Sequence, residues 1–173
     1  MPTNSRTAKI QIILIVVSIL LTNFTTLSAQ HDHHDASAHH KEHQNHTEIA
    51  TGGGIAVSNE FTGIAPAFHV HFVRGLTPHL GVGAGYEAIF GPEYHQSLGL
   101  MLNIRPIHLL DINIGPGLVL PVHDEGFAFS FQIESALTWN VIGKIHAGPV
   151  LDLGLSAHGW HLITGVHIGL DLN

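Results

Sequence analysis

Seventeen histidines and no cysteine stand in this 173-residue chain, and the histidines fall into two patterns with different chemistry. The first is a dense run. Residues 30–51 read QHDHHDASAHHKEHQNHTEIAT, which sets His31, His33, His34, His39, His40, His43 and His46 among Asp32, Asp35, Glu42 and Glu48. Neutral imidazole is the commonest protein ligand for zinc and suits copper and nickel, and carboxylates add oxygen ligands and negative charge. Almost nothing in the run can enter a core, so it is expected to be a disordered, exposed tail holding several weak, exchangeable divalent metal ions. The competing expectation is a polar spacer, or a tail whose charge rises as imidazoles protonate near pH 6.

The second pattern is sparse. His69 and His71 are separated by one residue, so on a strand both project to one face, where His146, His167 or a carboxylate would complete a tetrahedral or more open metal site. The same inward set holds Glu87, Arg105, Asp111, Glu134, Lys144, Asp152, His161 and Asp171. Its simplest use is a structural network of paired charges filling a narrow interior, because an unpaired buried charge costs several kcal/mol. His79, His95, His108, His123 and His158 fall near expected strand ends and are read, with Tyr86, Tyr94, Trp139 and Trp160, as groups at a polar rim.

The elements that position these residues are strands. Phe127, Phe129, Phe131, Ile133 and Leu137 sit at odd positions between small or polar residues, a period of two that marks a strand with two unlike faces. Charged residues are only 11% of the chain, and 19 glycines with scarce Lys, Arg and Glu argue against a helical bundle. Turn residues divide the sequence beyond residue 51 into eight candidate strands at 52–59, 63–74, 78–89, 94–105, 107–120, 126–139, 141–156 and 159–172. Several exceed the ~9–11 residues with which a tilted strand crosses a bilayer.

Polarity decides which face meets what. In the last candidate strand one parity is Trp160, Leu162, Thr164, Val166, Ile168, Leu170 and Leu172, and the other is His161, Ile163, Gly165, His167, Gly169 and Asp171. A soluble barrel turns its apolar parity inward and needs a well-charged exterior. The second set is too weakly charged for that and suits a narrow lumen, so the apolar set is assigned to lipid.

Residues 1–29 complete the organisation: Arg6 and Lys9, the apolar run 10–21 and the small residues Leu27-Ser28-Ala29 form a secretory signal peptide cut before Gln30. The expected domains are therefore a signal peptide 1–29, a His/Asp/Glu-rich tail 30–51 and an all-β barrel domain 52–173. Removing the signal leaves Lys41, Arg74, Arg105 and Lys144 against 13 carboxylates, a formal charge of minus 9 that disfavours nucleic acid as a partner. Without cysteine, neither a disulfide framework nor an acylated cysteine anchors the protein.

Over residues 52–172 the alternation resembles the small eight-stranded outer-membrane β-barrel proteins of Gram-negative bacteria. Such proteins often end on an aromatic residue, whereas this chain ends Gly169-Leu170-Asp171-Leu172-Asn173. The resemblance implies an eight-stranded antiparallel transmembrane β-barrel in the cell outer membrane, with outer-membrane lipid around it and the tail in the periplasm. The expected task is binding of zinc, copper or nickel for sequestration, sensing or handover, with a metal-efflux or uptake system as the kind of partner served. The alternatives are a structural or adhesion-type envelope barrel without a metal role, a narrow channel, and a lipid-modifying enzyme using a rim pair such as Ser156 and His158. No nucleophile elbow or HExxH helix supports catalysis, so no enzyme is expected.

Overall fold

The computed structural model describes residues 46–92, 94–121 and 126–172. The signal segment, His123 and the tail ligands His31, His33, His34, His39, His40, His43, Asp32 and Asp35 lie outside the described residues. Nine strand segments follow in order: β1 (Thr47–Ser58), β2 (Ala65–Gly75), β3 (Leu80–Phe90), β4 (Tyr94–Ile107), β5 (Leu110–Val119), β6 (Ala128–Leu137), β7 (Trp139–Ile142), β8 (Ile145–Ser156) and β9 (Trp160–Asp171).

All pairings are antiparallel. The sheet order is β6-β5-β4-β3-β2-β1-β9-β8-β7, and pairing of β6 with β8 closes it. Ala136 lies opposite Val150 and Trp139 opposite Ala147, so β6 and β7 keep one register against β8 across Thr138 and act as a single wall strand. The result is a closed eight-stranded antiparallel barrel, and closure removes the unpaired edges that an open sheet would expose.

Three boundaries differ from the sequence expectation for a local reason. β1 starts at Thr47, because Thr47 to Thr51 pair with Arg74 to Val70 and Glu48 to Thr51 also pair with Asp171 to Ile168. Residues 47–51, assigned above to the tail, are thus barrel wall. Pro106 does not end β4: lacking an N–H, it sits where the β4–β5 register shifts between Ile104 and Ile107, and the chain turns at His108 and Leu109. The sixth wall strand runs on to Ile142 and turns at Gly143-Lys144, where Gly143 takes a φ of 57° that other residues resist. Lys144, expected inside, is therefore exposed on that turn.

The polarity of the wall is inverted relative to a soluble protein. Phe68, Leu98, Leu100, Phe129, Val166 and Ile168 point outward and are exposed, while Glu48, His71, Glu87, Glu134, Asp152 and His167 are buried inside. A belt of apolar side chains around a polar lumen is stable in hydrocarbon, where strand backbones satisfy one another and no side-chain charge faces lipid. Inside, Ala56, Ala65, Ala67, Ile89 and Ile163 form a small apolar core, with Phe61 packed against it. Leu100, mid-strand in β4 and 68% exposed, tests this polarity. Leu100→Arg is expected to destabilise the barrel by about 2–4 kcal/mol in lipid vesicles, measured by reversible denaturant unfolding.

Candidate metal centre in the barrel lumen

The period of two sends alternate residues of every strand into the lumen, and glycine on the neighbouring strand makes room for each bulky imidazole. Gly52 of β1 lies opposite His69 of β2, Gly169 of β9 opposite His146 of β8, and Gly154 of β8 opposite His161 of β9. At all three positions a Cβ would overlap the facing imidazole ring. Gly52 is also the register partner of His167, so His69 and His167 flank one glycine from opposite sides.

This packing brings together all four lumen histidines expected from the sequence. Successive ring centroids are separated by 6.3 Å from His46 to His146, 5.7 Å to His167, 5.3 Å to His71 and 5.8 Å to His69. The string runs from the barrel end that carries both described termini toward the middle of the lumen. Two carboxylates lie along it, and they differ in how fully the protein satisfies them.

Glu48 is saturated. His146 Nε2 and His167 Nε2 each approach its Oε1 at 3.1 Å, while Oε2 accepts from Arg105 Nη2 at 2.9 Å and lies 2.8 Å from His46 Nε2. Arg105 also donates through Nε to Asp111, whose carboxylate receives Asn103 Nδ2 at 3.3 Å and Thr138 Oγ1 at 3.4 Å. Of the charges assigned inward from the sequence Arg105 pairs with Asp111, and its other partner is Glu48, a residue assigned above to the tail. Only the strand start at Thr47 brings its carboxylate inward.

Glu134 is not saturated. Asn113 Nδ2 donates to its Oε1 at 2.9 Å, but Oε2 faces His69 Nε2 at 3.6 Å and His71 Nδ1 at 3.8 Å, too long for hydrogen bonds. His69 Nε2 and His167 Nδ1 are buried without a hydrogen-bond partner in the protein. Ligand atoms of His69, Glu134 and His167 all lie within 4.8 Å of one another. Three imidazoles around one carboxylate form a nitrogen-rich donor set of the kind that holds zinc, copper or nickel, so these residues fit such an ion.

The remaining sequence candidates divide. His46, expected in the tail, lies at the mouth end of the string against Glu48, with its Nδ1 3.1 Å from Asp171 Oδ1. His95, expected at the rim, is instead buried and points inward, its ring 5.0 Å from that of His161. His79, His108 and His158 are exposed, as expected of strand ends. Ser156 gives no sign of a nucleophile: its hydroxyl accepts from the backbone N–H groups of His158 and Gly159 at 3.2 and 3.3 Å and caps its own turn.

In sequence the chain matches no family model and no curated protein. In structure it superimposes on neisserial surface protein A with a TM-score of 0.52 at 7% identity, covering 74% of this chain and 97% of that one. The N-terminal β-barrel domain of Pseudomonas aeruginosa OprF gives 0.52 at 13% identity, with coverage of 75% and 100%. The Yersinia pestis attachment invasion locus protein Ail, solved with the heparin analogue sucrose octasulfate, gives 0.50 at 8% identity, with coverage of 74% and 99%.

The fold is that of the small eight-stranded outer-membrane β-barrels. At such identities the shared property is the barrel itself, and the lumen histidines belong to this chain's own reading.

Removing one partner of a buried charge pair leaves the other unpaired at about 3–5 kcal/mol. Arg105→Ala strips Glu48 and Asp111 together, so a loss of this size is expected in denaturant unfolding of the reconstituted barrel. Arg105→Lys, which keeps the charge but cannot bridge both carboxylates as a fork, is expected to fall in between.

Proposed function

We propose that this protein is an outer-membrane barrel that binds divalent transition metal ions, zinc, copper or nickel, through its His-rich tail and a lumen centre formed by His69, His71, His167 and Glu134. The observation that carries this is the unsatisfied state of the centre: buried imidazole nitrogens converge on a carboxylate without hydrogen-bond partners in the protein. Such groups are costly unless a hydrogen-bond partner or an ion completes them, and a carboxylate among imidazole lone pairs favours a cation. His46 adds continuity, since the last histidine of the run is bound to Glu48 and Asp171 at the barrel mouth. A cavity of about 360 Å³ opens there, lined by His46, His79, Arg105, Asp111, His146 and Asp171 among others.

Loop lengths support one orientation. The end that carries the described termini has turns at 76–79, 108–109 and 143–144, and the opposite end has the short connections 91–93 and 157–159 together with the two longest, 59–64 and 120–127. Outer-membrane barrels keep their longer loops on the outer side, which favours a tail in the periplasm, where it would collect ions for sequestration, sensing or handover to an efflux or uptake system.

A second reading, a structural envelope barrel, draws on the self-satisfied network of Glu48, Arg105 and Asp111. Isothermal titration of zinc and copper(II) into the detergent-solubilised full-length protein separates the two. Deletion of residues 31–45 is expected to remove the multiple weak sites, and His69→Asn/His167→Asn the tighter one. Heat unchanged in both variants would overturn the metal reading and leave the structural one. Because ligating imidazoles must be neutral, apparent affinity is expected to fall as pH drops below about 6.5, followed in the same titration.

A further inference from the structure

A second cluster adjoins the Glu134 centre on its loop-end side, since Glu87 is the register partner of His69 and Asp152 that of Glu134. Glu87 of β3, His95 of β4 and His161 of β9 offer one ligand atom each, all within 4.8 Å of one another. His161 Nε2 stands 2.9 Å from Glu87 Oε1 but outside hydrogen-bond alignment, and Asp152 of β8 lies beside Glu87. All four residues are buried.

The cluster is the least satisfied part of the molecule. Both carboxylate oxygens of Glu87, Oδ1 of Asp152, and Nε2 of His95 and His161 lack a hydrogen-bond partner in the protein. No Lys or Arg compensates them: among the described residues Arg105 is the one such side chain turned inward, and it is committed to Glu48 and Asp111. Two adjacent carboxylates in a low-dielectric lumen repel each other and lose their hydration, so they must gain a cation or give up a charge by binding a proton. Two imidazoles facing the same point with lone pairs available select the cation.

We infer that Glu87, His95 and His161 form a second divalent metal site of the zinc class, with the Asp152 carboxyl close by. Two imidazoles and one or two carboxylates from four strands make the mixed nitrogen and oxygen set that zinc and neighbouring first-row ions take. Gly154 belongs to the same device, since a side chain there would collide with the His161 ring and turn it from the ion. The apolar Ile89 and Ile163, register partners of His95 and Asp152, flank the site and limit its hydration. With the Glu134 centre, the lumen then holds two adjoining metal positions, linked across the wall by the register pairs His69–Glu87 and Glu134–Asp152.

The test is cobalt(II) binding to the full-length protein in detergent. It is read as molar equivalents retained after dialysis against a weak chelator, and as visible d–d absorption. Glu87→Gln/His161→Asn is expected to lose one retained equivalent and its share of the absorption. His69→Asn/His167→Asn is expected to keep that equivalent, and its own effect reports separately on the Glu134 centre. Barrel integrity is followed by the mobility difference between unboiled and boiled samples on gels. Should the double variant fail to assemble, His95→Asn alone is expected to weaken retention about tenfold or more. Full retention in an assembled Glu87→Gln/His161→Asn barrel, or unchanged affinity in His95→Asn, would overturn the proposal and leave the two carboxyls sharing a proton.

Discussion

The Glu48 carboxylate is the interaction on which the rest of the lumen depends. A buried carboxylate is tolerable only where hydrogen bonds and opposite charge replace water, and Glu48 obtains both from Arg105, His46, His146 and His167. These partners come from the chain entering the barrel, from β4, β8 and β9. Through Arg105 the network extends to Asp111 on β5. One ionised group thus cross-links strands on both sides of the closure between the first and last strands. In a barrel with no large apolar core, such charge-assisted bonds through the lumen take over part of the role that side-chain packing has in soluble domains.

The inverted polarity follows from the same constraint. With lipid outside, the outward parity carries mainly Leu, Ile, Val and Phe, and most charged side chains of the wall are driven into a space one or two side chains wide, with Arg74 at a strand end as an exception. Imidazole suits that space because it is compact and serves as donor, acceptor or ligand according to its neighbours. Its width is accommodated by Gly52, Gly154 and Gly169 on adjoining strands, which accounts for part of the high glycine content. Where Arg105 reaches, the carboxylates are neutralised by protein. Beyond its reach, Glu134, Glu87 and Asp152 stand among imidazoles, and the lumen changes from a network satisfied by the protein to groups it leaves incompletely partnered.

Much of this was legible in the residues. The alternation in β4, β5 and β9 named the outward set, and His69, His71, His146 and His167 were selected together because each shares the inward parity of its strand. Glu48 and His95 were misplaced for opposite reasons. Glu48 lies in a run so rich in histidine and acid that composition pointed to a tail, whereas its pairing with Val73 and Asp171 makes it wall. His95 lies beside the polar turn after Phe90 and looked like a rim residue; its strand starts at Tyr94 as expected, but the parity it shares with Ser97 and Asn103 turns it inward. Pro106 and the Trp139-Asn140 pair likewise suggested turns, but backbone pairing carried both strands past them.

What the sequence determined by itself is the period of the pattern and the chemistry of each face, because alternation is a property of one strand and needs no knowledge of its neighbours. It therefore fixes an all-β wall with an apolar exterior and an interior of histidine and carboxylate. Register is a relation between strands, and a slip of two residues preserves every inward and outward assignment while changing every partner. Only the closed tertiary structure decided that Arg105 meets Glu48, that three imidazoles surround Glu134, and that Glu87, His95 and His161 face one another without a compensating cation from the protein.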